Sequence, residues 1–307
     1  RGLGDVYKRQ KRECVVIAVA VALLVALFSA SLFQGKKTAD IRIASMDFSE
    51  NEIFAYMLSE AIERDLGIDV ETIPDLGAGS VCLSSIESGE IDGYVDYTGT
   101  LYVNILKNPA SSDVEQVYTD SVKGMKEQYG LDVLNSLNVN NTYTLSTTKE
   151  IAEQYGLETI SDLKKIGGPV TICSTLAFMN REDGLLGVED RYGINFNKVG
   201  VDGSARYTAL MSGEGQVIDA YSTDGLLKKF DLVILEDDQG VFPPYYAVPV
   251  FREEIMEQYP EIADVTEALA DVLSTDTMAE LNYLVDEEGQ KAAVSYTHLR
   301  AHETRGN

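Results

Sequence analysis

Residues 68–97, IDVETIPDLGAGSVCLSSIESGEIDGYVDY, decide how this chain folds. IDVETI reads as a strand, LGAGS is a glycine-rich turn whose amides can cap a helix, the next ten residues supply that helix, and IDGYVDY returns as strand. Upstream, IRIAS from Ile41 reads as another strand. It is followed by a helical pattern over Asn51 to Asp65 that puts Ile53, Phe54, Met57, Leu58 and Ile62 on one face. Strands alternating with helices imply an α/β fold with a largely parallel sheet.

The alternation continues. A helix is expected near Val114 to Tyr129, a strand around Tyr143, helices after Thr148 and Ser161, and strand VTICS from Val170. Helix Ser204 to Ser212, strands VIDAY from Val217 and LVILED from Leu232, and a helical tail over Glu253 to Leu273 and Met278 to Val285 complete the pattern. Periodicity fits one doubly wound domain or two lobes. No tandem repeat or Pro-rich linker separates halves, so two lobes require ordered crossovers, expected near Asn141 and Tyr221.

With 307 residues and 45% apolar content, the chain has the material for sizeable cores. A net charge of −25 repels phosphate backbones, argues against a nucleic-acid partner and favours a small or cationic one. The two histidines, His298 and His302, both lie in the last ten residues, so the body has no imidazole for acid-base work or for a metal. Cys14, Cys82 and Cys173 lack the paired spacing of zinc or redox motifs; a Cys82 to Cys173 disulfide is possible, with two buried free thiols the favoured reading.

Residues 14–33, CVVIAVAVALLVALFSASLF, carry no charge and follow Lys11 and Arg12, so residues 11–39 read as a signal peptide or membrane anchor with a polar spacer. Residues 1–10 and 295–307 read as non-native sequence and are set aside.

Four tyrosines sit beside residues that bend the backbone or end a strand: Tyr97 in DYTGT, Tyr143 in NNTYTL, Tyr221 in DAYSTDG and Tyr245 in FPPYY. In α/β sheets ligand sites collect at strand ends. Taken singly, each ring reads as packing or surface. The ordered series SMDFSEN, DLGAGSVC, GEIDGYVDYTGT, NNTYTL, NREDGLLG, DAYSTDG and EDDQGVFPPYY resembles the substrate-binding proteins of ABC transporters for glycine betaine, choline and related osmoprotectants, over about Ile41 to Val294.

That resemblance implies a bilobal type II periplasmic-binding fold. Lobe 1 is expected over 40–140 plus 226–294, lobe 2 over 141–225, with a hinge that closes on the ligand. It implies a cage of Tyr97, Tyr143, Tyr221 and Tyr245. A quaternary ammonium has no N–H to donate, so aromatic faces must select it, each worth about 0.5 to 2 kcal/mol when desolvated. It further implies Arg181 forking onto the carboxylate of a zwitterion, with Thr100 donating its hydroxyl. Where family members often carry Lys or Gln, this chain has Met46, whose thioether suits methyl groups. Tyr94, Tyr102 and Tyr246 go to packing or rim. The implied partners are a small quaternary ammonium and a membrane permease driven by a separate ATPase; no cofactor is expected, and a monomer is the family expectation.

Residue chemistry alone leaves rivals. Arg181 could be a helix-start charge paired with Glu182 or Asp183, and Thr100 plain turn chemistry. An enzyme could use DLGAGS to cradle an anion, but the body lacks histidine, a P-loop and a nucleophile elbow. A binding protein for amino acids would need an acid such as Asp96 or Asp219 for the ammonium. The chain could also be the binding domain of a fused permease.

Overall fold

A computed structural model describes residues 39–294 apart from 202. Two five-stranded sheets organise it. The first contains β1 (Ile41–Met46), β2 (Val70–Gly77), β3 (Gly93–Tyr97), β4 (Leu131–Val133) and β10 (Ala247–Arg252), in the order β2-β1-β3-β10-β4. The second contains β5 (Tyr143–Thr148), β6 (Val170–Ser174), β7 (Phe196–Gly200), β8 (Val217–Tyr221) and β9 (Leu232–Leu235), in the order β7-β6-β8-β5-β9. The expected α/β architecture is present, as two sheets rather than one.

The stretch 68–97 folds as its pattern dictates. β2 and β3 each lie parallel to β1, and the helix Gly79–Ser88 crosses between them. Both faces of this sheet are covered. Ile41, Ile43 and Val95 point to one apolar cluster with Phe54, Leu58 and Ile262, whereas Ala44 and Tyr94 point to another with Cys82 and Ile86. Strands buried on both faces read as continuous apolar runs, as IRIA and GYV do. The helix Ser49–Leu66 buries Ile53, Phe54, Met57, Leu58 and Ile62 on its inner face. It stops at Gly67, whose φ of 68° only a residue without Cβ adopts freely.

Each sheet has one reversed strand, and in each it is the strand that follows a passage of the chain from the other sheet. β5 runs antiparallel to β8, and β10 antiparallel to β3. The two passages lie side by side: Asn141 N–H donates to Tyr245 O at 3.0 Å, Tyr245 N–H to Asn140 Oδ1 at 2.8 Å, and Thr142 Oγ1 to Pro243 O at 2.8 Å. The second passage is therefore at about Phe242 to Tyr246 and not near Tyr221. The segment from Leu226, expected in lobe 1, first lays β9 along the outer edge of β5. LVIL carries the apolar pattern of any strand and does not say which sheet it joins.

β10 has no counterpart among the expected strands, and a proline such as Pro249 is unusual in a central strand. Its place explains the tolerance. Pro249 offers its carbonyl to Leu134 N–H at 2.9 Å, so its missing donor faces the side where β4 has already ended at Val133. Cys82 and Cys173 are buried and free in separate clusters, one in each lobe, so no disulfide joins them. Among the described residues no helix is long and apolar enough to cross a membrane. The apolar stretch 14–33, the ends 1–10 and 295–307, and both histidines lie outside the described residues.

Candidate functional site

Tyr143 opens β5 and Tyr221 closes β8, and the antiparallel register pairs these two residues directly. Directly opposed residues project to the same face of a sheet. Their rings stack with centroids 4.9 Å apart and planes 28° apart, and the Tyr221 hydroxyl donates to that of Tyr143 at 3.3 Å. Phe178, fully buried, supports Tyr143 from behind at 5.1 Å. Tyr221 is 44% exposed, so the aromatic pair has an open side.

Arg181 stands at the mouth of this pair, its Cζ 5.5 Å from the centroid of Tyr143. Its guanidinium forks onto Asp183, Nε donating to Oδ1 at 2.7 Å and Nη2 to Oδ2 at 2.5 Å. These hydrogen bonds raise the pKa of Arg181 against the opposing effect of burial. Tyr245 donates to the same carboxylate at 3.4 Å. Burial raises the phenol of Tyr143 and pushes that of Tyr245 up to about 12, so both stay neutral donors at physiological pH. Asn104, Asn141, Tyr143, Arg181, Tyr221 and Tyr245 line one cleft of about 180 Å³.

The two motifs TGT and FPPYY dock on each other to bring Tyr245 here. A Cβ on Gly99 would lie 2.7 Å from Tyr245 Cε1 and 2.8 Å from Pro244 O, so only glycine lets the ring lie on that backbone. Thr98 locks the contact, its hydroxyl donating to Pro244 O at 3.2 Å and accepting from Tyr246 N–H at 3.1 Å. Asn104 reaches the cleft from the π-helical turn Thr100–Ile105 that follows.

The structure thus gathers Tyr143, Tyr221, Tyr245 and Arg181 on one cleft. The other three expected residues sit elsewhere. Tyr97 is buried at the end of β3, its hydroxyl donating to Glu50 at 2.6 Å and its ring stacked 6.3 Å from Phe48. Phe48, Glu50, Asn141, Tyr221, Asn282 and Asp286 line a neighbouring cavity of about 550 Å³, so Tyr97 stands behind the wall of that space. Met46 is buried in the core cluster with Cys82, its thioether against Gly79. Thr100, half-buried, begins the π-helical turn without lining the cleft.

Sequence reading missed Asn104 and Asn141, which carry no signal beyond being polar, and Phe178, which reads as ordinary core. Asp183 was visible only as a pairing partner for Arg181, and that pairing is present here. The acids an amino-acid ligand would need are engaged inside the lobes. Asp96 accepts from Tyr94 O–H at 3.0 Å and Tyr97 N–H at 2.8 Å, and Asp219 accepts from Thr175 N–H at 3.0 Å and its hydroxyl at 3.1 Å. Neither lines the two cavities. Tyr94 and Tyr102 are buried packing residues and Tyr246 is half-buried.

The family model described as substrate binding domain of ABC-type glycine betaine transport system matches residues 39–298. The carnitine transport binding protein OpuCC of Listeria monocytogenes is 31% identical over 283 residues, covering 90% of this chain and 92% of that protein. The ergothioneine transport permease/ergothioneine binding protein EgtU of Helicobacter pylori is 32% identical over 284 residues, 91% of this chain but 51% of that protein. A solved glycine betaine/carnitine/choline ABC transporter structure superposes with a TM-score of 0.81 at 32% identity, covering 86% of this chain and 99% of that one. Proteins of this kind are bilobal and bind solutes; they are not enzymes. The chain belongs to the family of substrate-binding domains of ABC-type glycine betaine transport systems, and is the substrate-binding component of an importer of that type.

Proposed function

We propose that the protein captures quaternary ammonium osmoprotectants, namely glycine betaine, choline and carnitine, outside the cytoplasmic membrane. The loaded form then passes to a membrane permease driven by a separate ATPase. The observation that carries this reading is the open-sided Tyr143–Tyr221 stack, which shares one cleft with Tyr245 and Arg181. Aromatic faces attract a cation that cannot donate a hydrogen bond, and Arg181 already spends its charge on a carboxylate fork.

The lobes of this proposal are Asp40 to Asn140 plus the chain after the second passage, and Asn141 up to that passage. Closing them brings the Tyr97 and Phe48 wall toward Tyr143 and Tyr221, completing the box. A zwitterion's carboxylate exchanges with Asp183 on Arg181, with Thr100 as a second donor, while Met46 packs behind. Choline, lacking a carboxylate, needs no such exchange. The protein acts as a monomer, held at the cell surface or released to the periplasm according to the fate of residues 14–33.

Calorimetric titration of the segment Asp40 to Val294 with glycine betaine, choline, carnitine and proline tests the reading. Saturable binding of at least one methylated cation is expected. Silence toward all of them removes the cage.

A further inference from the structure

Glu50 lies in the first turn of the helix Ser49–Leu66, is 3% exposed and has no cationic partner among the described residues. Such a carboxylate is costly unless hydrogen bonds and a favourable dipole replace its water. Three donors converge on it: the Tyr97 hydroxyl at 2.6 Å, Asn141 Nδ2 at 3.0 Å and Asn282 Nδ2 at 2.9 Å. Asn282 Nδ2 also donates to Thr223 O at 2.9 Å. Because Glu50 only accepts, both amides must turn their nitrogens toward it. Their carbonyl oxygens are left buried without partners, a cost that the arrangement tolerates.

The chain positions of these contacts are what matters. Tyr97 is held directly, Asn141 is two residues before Tyr143, and Thr223 is two residues after Tyr221. Asn282 belongs to the helix Thr275–Asp286 of the first lobe, and Thr223 follows a strand of the second. One buried carboxylate therefore ties together the segments that carry three of the four proposed cage rings, across the lobe junction.

We propose that Glu50 is a positioning residue of the aromatic site, fixing Tyr97 and setting the register of the Tyr143 and Tyr221 segments against it; this rests on the cage reading above. A glutamine at this position offers one acceptor atom where the carboxylate offers two. It cannot hold all three donors, so at least one partner must turn away.

The test is Glu50→Gln, titrated with glycine betaine and with tetramethylammonium, which has no carboxylate. Both affinities are expected to fall by the same factor, roughly three- to tenfold, the scale of one misaligned cation–π contact. The variant is expected to melt near the wild-type temperature, since the two bare carbonyls gain a possible donor. With ¹³Cζ-labelled tyrosine, the resonance that disappears in Tyr97→Phe should move in Glu50→Gln, because the phenol no longer donates to a charged acceptor. Should Glu50→Gln fail to melt cooperatively, Asn282→Ala decides: it removes one of the three donors to Glu50 together with the link to Thr223, leaves the Tyr97 and Asn141 bonds in place, and both cations should bind about threefold more weakly. Wild-type-like binding of both cations by the folded variant, or a loss confined to glycine betaine, overturns the inference while leaving the cage intact. Failure of the wild-type protein to bind either cation is instead failure of the cage reading, and takes this inference with it.

Discussion

Four side chains that the sequence scatters over residues 143 to 245 meet on one cleft, and their roles separate by chemistry. Tyr143 and Tyr221 present faces, whereas Arg181 presents a planar fork already filled by Asp183. Tyr143→Ala or Tyr221→Ala is expected to weaken every methylated cation by about 0.5 to 2 kcal/mol. Arg181→Ala should instead cost glycine betaine or carnitine about tenfold more than choline, which has nothing for the fork to hold. Parallel calorimetric titrations read the difference, and equal losses for choline and betaine would contradict the assigned clamp. The rings were legible through the motif series that resembles the family, since each taken singly reads as packing or surface. That Tyr97 is turned to Glu50 while Tyr221 is exposed was not, since burial depends on which segments cover each ring.

At the level of elements, the site depends on docking the TGT corner against FPPYY. Gly99→Ala places a methyl within 3 Å of a phenol ring and a backbone oxygen, and backbone cannot step aside as a flexible side chain can. The expected cost is about 1 to 3 kcal/mol by urea melting, together with weaker ligand binding, because Tyr245 is displaced from the cleft. Loss of stability with unchanged affinity would show that Tyr245 does not serve the site. The strands of the first lobe were readable from their apolar runs up to β3. β10 was not, because a proline in a central strand is tolerated only through the shortness of its neighbour β4, a fact of pairing rather than of composition.

For the whole molecule, the most informative ionisable group is Asp96, beneath the site and fully buried. Burial pushes its carboxyl up to about 7, against the opposing hydrogen bonds from Tyr97 N–H and the Tyr94 hydroxyl. In the unfolded chain the same group ionises near pH 3.9, so between about pH 4 and 7 the folded state holds a proton that the unfolded state has lost. Stability therefore falls as pH rises through that window and levels off above it. Asp96→Asn keeps a neutral hydrogen-bonding group, and should flatten the decline by an amount on the order of 3 kcal/mol. Melting temperatures of both proteins at pH 5 and pH 8 check this; identical slopes would show that Asp96 is not the group responsible. The net charge of −25 adds a diffuse repulsion that salt screens, so the comparison belongs at one ionic strength.

The sequence by itself determined the α/β alternation, the apolar faces that cover both sides of each sheet, and the set of residue types from which the site is drawn. The first two follow from local periodicity and from turn chemistry, which every segment carries within itself, and the third from the motif series that resembles the family. Only the tertiary structure decided that β9 stays with the second sheet, that the return passage runs beside Asn141, and that Asp183 fills the fork of Arg181. The first two are set by contacts between segments far apart in the chain, which no short window of sequence contains; the third lies within one short window, which offered Glu182 and Asp183 alike and could not choose between them or the ligand reading.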